Sequence, residues 1–414
     1  MYRSNKLKIY LVGGAVRDHL LKINVKDKDW VVVGSDIKSM LKLGFKLVGK
    51  DFPVFLHPKT HEEYALARTE YKSGHGYKGF KYYATPTISL KEDLLRRDLT
   101  INAIAQDNLG KFYDPYNGLN DIKNRILKHV SLSFKDDPLR VLRVARFAAK
   151  LNYLNFKIHD STLKLMKIMS NSGELSYLKP ERIWKETYNA LRSKDPQIYF
   201  QILKKCNALS SILPEINKLY GIPAPLKWHP EIDTGIHTML TLKIISQLTK
   251  NVSTRFAALC HDIGKGLTPK KLWPRHPGHG IAGIPLIKKL CKKLKIPNNI
   301  KKLSILSAKI HDIIHDIYNQ KPEDILNIYN IIDAWRKPER VKQIALISEA
   351  DARGRLTLEL MEYKQGKYFI DMYNFISKLN IKNIINNINL KGININKTIQ
   401  NERLKLLKSF LKSK

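Results

Sequence analysis

The stretch LVGGAVRD (residues 11–18), followed by KDKDW (residues 26–30), decides how the front of this 414-residue chain is read. An apolar run, KIYLV, stops at Gly13 and Gly14, and Arg17 follows within one turn. Glycines at the end of a strand have no Cβ in the way, so backbone N–H groups can point at phosphate oxygens. The pattern is neither GxGxxG nor GxxxxGK[ST], so a dinucleotide fold and a P-loop ATPase are not supported. Asp27 and Asp29 stand two apart, directly before WVVVG. Residues two apart on a strand share a face. Two neighbouring carboxylates repel unless a hard divalent cation sits between them. The two stretches together point to phosphoryl or nucleotidyl transfer with two metals.

Outward from there, KDWVVVG, EYALART and FYDPYNG continue the short β-rich runs to about residue 130. Beyond 131 apolar residues recur three and four apart, first in DDPLRVLRVARFAAKL (residues 136–151). Further helices are expected over 181–193, 197–206, 237–249, 253–261 and 281–294. Loops rich in Pro, Gly and Trp span 221–235 and 265–280, and 381–397 is low in complexity. An α+β head followed by an all-α body results.

The composition agrees with several packed units. Hydrophobic residues make up 43% of the chain, and no apolar run reaches the 18 residues of a spanning helix. The N-terminal apolar stretch is too short for a signal peptide, and three scattered cysteines fit reduced thiols, so a cytoplasmic location is expected. A net charge of +36 attracts polyanions, nucleic acid above all.

GGAVRD with KDKDW resembles the first signature of the class II nucleotidyltransferase superfamily, the CCA-adding enzymes and poly(A) polymerases. Further motifs arrive in that family's order: LLRRDLTINAIA (94–105), DPYNGLNDI (114–122), DDPLRVLRVARF (136–147, with Asp136 where Glu is usual) and PERIWKE (180–186). The resemblance is strongest to bacterial CCA-adding enzymes with an HD domain. It implies a catalytic head over 1–130, a helical nucleotide-reading and tRNA-binding neck and body over 131–225, an HD phosphohydrolase domain over 226–335, and a helical basic tail over 336–414.

The resemblance further implies that Asp27 and Asp29 are catalytic and hold Mg²⁺, with Gly14, Arg17 and Arg97 on phosphate or sugar. Arginine suits that task because its planar fork holds two oxygens. Arg140, Arg143 and Arg146 recur every third residue, and Asp137 stands three before Arg140. Asp137 accepts hydrogen bonds and Arg140 donates, so the pair can read a base edge. Cytosine and adenine both place an amino donor beside a ring-nitrogen acceptor, whereas uracil and guanine reverse that pattern. Side chains can therefore select C and A without a template, and CTP, ATP and tRNA are the expected partners. Over 68–86, a stretch with three glycines and several aromatics, the resemblance implies a flexible element that helps orient nucleotides.

His237, His261-Asp262 and His311-Asp312 resemble an HD-domain set, with His276, His279 and His315 nearby and Asp351 an alternative closing acid. Imidazole-rich sites favour transition metals. The resemblance implies phosphatase, 2′,3′-cyclic phosphodiesterase and 2′-nucleotidase activities with Ni²⁺ or another divalent transition metal. The protein is expected to be a monomer or homodimer, away from membranes. A poly(A) polymerase or A-adding enzyme shares the head motifs, but the HD pattern opposes the first. A pure HD phosphohydrolase leaves residues 8–190 unexplained, and a non-catalytic RNA binder has no need of DxD.

Overall fold

The computed structural model describes residues 7–25, 27–48, 53–72, 80–226, 231–382 and 395–413. They form two compact units: residues 1–190 with 198–212, and residues 191–197 with 213–414.

The first unit contains β1 (Lys8–Val12), β2 (Asp29–Val33), β3 (Lys46–Leu47), β4 (Val54–Leu56), β5 (Glu63–Leu66), β6 (Thr69–Lys72), β7 (Phe80–Tyr83), β8 (Ala105–Gln106) and β9 (Phe112–Tyr113). Seven of these make one mixed sheet in the order β3-β4-β5-β2-β1-β8-β9, in which β2 and β5 run parallel. Successive side chains of a strand point to opposite faces. Val31 accordingly joins a core with Val12, Leu94 and Ala103, while Val32 joins another with Met40, Phe55 and Leu66. Both faces of the sheet are therefore covered, which explains why WVVV reads as an unbroken apolar run.

Register sets the position of the candidate site. Val12 pairs with Asp29 on one side and with Ala105 on the other. Gly13, Asp29 and the 102–105 turn thus meet at one end of the sheet, where the Gly13 N–H donates to the Ile104 carbonyl at 3.3 Å. The strand begins at Asp29, so Asp27 precedes it and its direction is not set by strand alternation.

Residues 68–86, where a flexible element is expected, contain the ladder of β6 with β7, and 73–79 lie outside the described residues. The helix Leu139–Leu151 starts later than DDPLR suggests. A short 3-10 turn covers Leu132–Asp136, and Asp137 accepts the Leu139 N–H at 3.0 Å. Asp137 therefore lies in extended backbone before the helix and is not a helical neighbour of Arg140.

The second unit is helical. The helices Thr234–Leu248, Val252–Cys260, Asn298–His315 and Glu339–Arg353 pack on one another, and His279–Lys293 packs on Asn298–His315. The side chains of Asp233 and Asn251 cap the first two. Most of the low-complexity stretch, 383–394, lies outside the described residues. The three cysteines are free and buried, and among the described residues no helix is long and apolar enough to cross a membrane.

Candidate functional site

A pocket of about 830 Å³ opens at the end of the sheet marked by Gly13 and Asp29. It is lined by both Asp27 and Asp29, by Gly14, Arg17 and Arg97, and by Asp137, Arg140, Arg143 and Arg146. Every head residue singled out in the sequence therefore faces one cavity within the first unit.

Local structure explains the placement. Gly13 has φ of +71°, a conformation that L side chains rarely adopt, and a Cβ there would lie 2.8 Å from Nη1 of Arg97. The helix Leu90–Leu95 opens on a capping box between Ser89 and Glu92 and delivers Arg96 and Arg97 at its end. Buried Asp93 holds both: Arg96 Nη2 donates to it at 2.6 Å and Arg97 Nη2 at 3.3 Å. Nε of Arg97 is buried and makes no hydrogen bond. Arg17 donates to Asn102 at 2.6 Å and to Asp18, and its guanidinium lies 4.9 Å from the Phe147 ring centre.

Burial, opposed by Arg97 and reinforced by Asp27, raises the pKa of Asp29. A divalent cation would relieve that cost, and two carboxylates at a pocket lined with arginines fit a hard cation. The chemistry of the donors therefore suits Mg²⁺.

The arginines of the 139–151 helix are already held. Arg140 donates to the carbonyls of Ser133 at 2.7 Å and Arg96 at 2.5 Å. Arg143 donates to Asp98 at 2.7 Å, and Arg146 to Glu186 at 2.5 Å. Asp137 pairs with Arg182, whose Nη2 lies 3.0 Å from its Oδ2. Arg182 also lines the pocket, and sequence reading passed over it although PERIWKE contains it.

The second unit gathers the histidines. Nδ1 of His261 lies 2.6 Å from the Ala258 carbonyl, that of His279 2.9 Å from His276, and that of His311 3.1 Å from Ser307. Nδ1 of His237 lies 3.1 Å from the Gly354 carbonyl and 3.0 Å from Glu231. A histidine held through Nδ1 can turn its Nε2 toward a metal. These Nε2 atoms converge on two buried carboxylates. His279 and His311 lie 3.0 and 3.6 Å from Asp262, and His237 lies 2.8 Å from Asp351. Nε2 of His261 lies 3.3 Å from Asp262 and 3.5 Å from Asp351, yet it is buried without a well-aligned hydrogen bond. That donor set fits a divalent transition metal. Among the described residues, three overlapping groups have ligand atoms within 4.8 Å of one another: His237–His261–Asp351, His261–Asp262–His311 and His279–His311–Asp312.

Asp312 is exposed at the rim, 3.3 Å from His311. His276 turns instead to the Pro223 carbonyl, at 2.9 Å. Gly264 brings the turn after Asp262 close to this cluster, because a Cβ there would lie 1.9 Å from the His279 carbonyl oxygen. Sequence reading missed Glu231, and Asp351 comes from beyond residue 335.

Three family models match in order along the chain. Residues 9–128 match the Poly A polymerase head domain, 155–219 the probable RNA- and SrmB-binding site of polymerase A, and 234–307 the HD domain. Among solved structures, a Thermotoga maritima CCA-adding enzyme complexed with tRNA-CCA is similar at 19% identity and a TM-score of 0.62, covering 98% of this chain and 91% of that one. A CCA-adding enzyme with CTP is similar at 19% identity and a TM-score of 0.62, covering 97% and 87%. A tRNA-processing enzyme is similar at 21% identity and a TM-score of 0.60, covering 97% and 93%. Residues 9–128 therefore match the Poly A polymerase head domain, with matches to the RNA-binding and HD domains following in order, on a fold shared with the CCA-adding enzymes.

Proposed function

We propose that this chain adds and repairs the 3′-terminal CCA of tRNA without a template, using CTP and ATP, and that its histidine cluster is a second, phosphohydrolase site. The observation that carries the first reading is the single pocket in which Asp27 and Asp29 face Gly14, Arg17 and Arg97. When bound, two Mg²⁺ ions would activate the tRNA 3′-hydroxyl and neutralise the leaving pyrophosphate. Asp27 and Asp29 would hold them. Arg97, with one nitrogen unpaired, and the N–H groups beyond Gly13 would take triphosphate oxygens. Asp137 would accept the exocyclic amino group shared by cytosine and adenine, held in place by Arg182 and by the Leu139 N–H. Arg140 would donate to the same base edge, anchored by its two carbonyl partners.

In the second unit, His237, His261, Asp262, His279, His311 and Asp351 would hold a divalent transition metal, nickel being the first to try. That metal would polarise a phosphoester and activate water. Burial disfavours the charge on Asp262, but His261 and Lys265, whose Nζ lies 2.6 Å away, outweigh it and hold this acid well below the usual carboxylate range. The activities to expect are 2′,3′-cyclic phosphodiesterase, 2′-nucleotidase and phosphatase, in a cytoplasmic enzyme.

The test is incubation with tRNA lacking its 3′ end and each labelled nucleoside triphosphate in turn and in combination. Incorporation of C and then A supports the reading. Incorporation of A alone makes the protein an A-adding enzyme or a poly(A) polymerase.

A further inference from the structure

Between Asp262 and Asp312, the 49 residues 263–311 contain eleven lysines, one arginine and no acid, whereas the whole chain has 73 cations to 37 acids. The same segment forms a wall of the histidine cluster. It provides His279 at the start of the helix His279–Lys293 and His311 near the end of Asn298–His315. The two helices pack together, and Nε2 of His279 lies 3.3 Å from Nε2 of His311. They therefore make a hairpin whose open end is at the cluster and whose turn is distant from it.

Lys288, Lys289 and Lys292 are exposed on the first helix, and Lys302 and Lys309 on the second. At about 1.5 Å of rise per residue, Lys309 stands about 3 Å along the axis from His311 and Lys302 about 14 Å. Lys288 and Lys292 stand about 14 and 20 Å from His279 on the same measure. The cations begin beside the cluster and continue down the hairpin, farther than one nucleotide reaches. An amphipathic helix that lies on a bilayer needs an apolar face to insert. Here Ile287, Leu290, Leu294 and Leu303 are spent on packing and buried. A chain of regularly spaced phosphates fits this surface better than a lipid headgroup layer.

We propose that the 279–315 hairpin binds the sugar–phosphate backbone of an RNA whose 3′ end occupies the histidine cluster, so that the substrate is a phosphorylated RNA end and not a free nucleotide. This rests on the phosphohydrolase reading above. The experiment compares the full-length protein with a K288Q/K289Q/K292Q/K302Q variant of matching melting temperature. Substrates are an oligoribonucleotide ending in a 2′,3′-cyclic phosphate and a 2′,3′-cyclic mononucleotide. The variant should raise KM for the RNA at least about tenfold and leave kcat/KM for the mononucleotide within about twofold. The slope of log affinity against log salt should become shallower by about 0.7 for each phosphate that the variant no longer neutralises. The matching four-arginine variant should keep the wild-type RNA KM.

An unchanged RNA KM with an unchanged salt slope overturns the proposal. So does a variant that loses binding to phosphatidylserine vesicles while its RNA slope stays the same. A wild type that hydrolyses neither substrate with any divalent metal removes the phosphohydrolase reading instead. The salt slope needs no turnover and still decides the surface: unchanged in the variant, it overturns RNA binding here; shallower, it supports it.

Discussion

Nε2 of His315 lies 2.7 Å from Oδ2 of Asp351, which leaves the other oxygen, Oδ1, to His237 at 2.8 Å. His315 is itself held on its far side, where the Tyr363 hydroxyl lies 2.8 Å from Nδ1. One carboxylate oxygen is thus committed to a relay and the other is aimed into the cluster. Partners of this kind orient a metal ligand, and their loss typically costs about 10–100-fold in metal affinity. Tyr363→Phe is expected to weaken divalent-metal binding about tenfold in a calorimetric titration, with nucleotide addition unaffected. Equal affinities in the two proteins would make the relay structural only.

How much of this was visible in advance depends on sequence distance. Gly13-Gly14, Asp27-Asp29 and His261-Asp262 are neighbours in the chain, so the chemistry of each shows locally. The His315–Asp351–Tyr363 relay joins residues 36 and 48 apart, and the pairing of Asp137 with Arg182 spans 45. Nothing in local periodicity marks such partners. The reading of Asp137 as a helical neighbour of Arg140 failed for a different reason. The Leu132–Asp136 turn and Pro138 delay the helix, so Asp137 stays in extended backbone and its carboxylate accepts the Leu139 N–H. The sheet was legible because its central strand is apolar on both faces, but the seven-strand order rests on long-range pairing.

Asp29 is the first residue to change in the head. A metal ion can supply several kcal/mol of charge stabilisation in a transition state, and each 1.36 kcal/mol is a factor of ten in rate. Asp29→Asn should lower nucleotide addition at least about a hundredfold. tRNA affinity should change little, because the basic surface supplies it. Because the pKa of Asp29 is raised, metal dependence in the wild type should steepen as pH falls toward the carboxylate range. A variant that keeps near wild-type addition would remove the two-metal assignment.

Arg182 tests base selection without dismantling the 139–151 helix. Arg140→Ala would strand the carbonyls of Ser133 and Arg96 and so confuse selectivity with stability. Arg182→Ala removes a support of Asp137 and leaves those two carbonyls paired. Good side-chain pairs are worth about 1–3 kcal/mol of base discrimination, so relative kcat/KM for CTP and ATP over UTP and GTP should fall about tenfold. Preserved ratios would mean that Asp137 does not read the base.

Asp98 governs the acid limb of stability. Burial alone would raise its pKa, but Arg143, Asn102 and Arg140 outweigh burial and hold it well below the ordinary carboxylate range. A depressed folded pKa gives stability that is present above the unfolded carboxylate pKa and is lost as pH falls through the folded one. Arg143→Ala should therefore cost about 1–2 kcal/mol near neutral pH, discounted from a fully buried pair because more than a third of the Arg143 side chain is exposed. The loss should shrink as pH falls below about 4, where Asp98 protonates on unfolding. Denaturant melts at pH 7 and pH 3 make the comparison. An equal loss at both would assign the effect to packing.

The histidine cluster gives the strongest pH dependence. Burial disfavours a charge on His261, yet the carboxylates of Asp262 and Asp351 outweigh it and push its pKa up to about 10. His237 and His279 are raised as well, against burial, by hydrogen bonds to acids. A raised folded pKa contributes stability that is complete below the unfolded histidine pKa and is lost as pH rises through the folded value. The chelator-treated protein should therefore lose melting temperature progressively from about pH 6.5 upward toward pH 10. A divalent metal must displace these protons, so its binding should release them and tighten as pH rises. Calorimetry of nickel addition at pH 7 in two buffers of different ionisation enthalpy measures the protons expelled, and at least one is expected. The metal-loaded protein should hold its melting temperature across the same range. If nickel binds without proton release, or if the chelated protein is equally stable at pH 6.5 and pH 9.5, the protonated imidazolium at His261 is wrong, and the acids of the cluster are balanced by Lys265 alone.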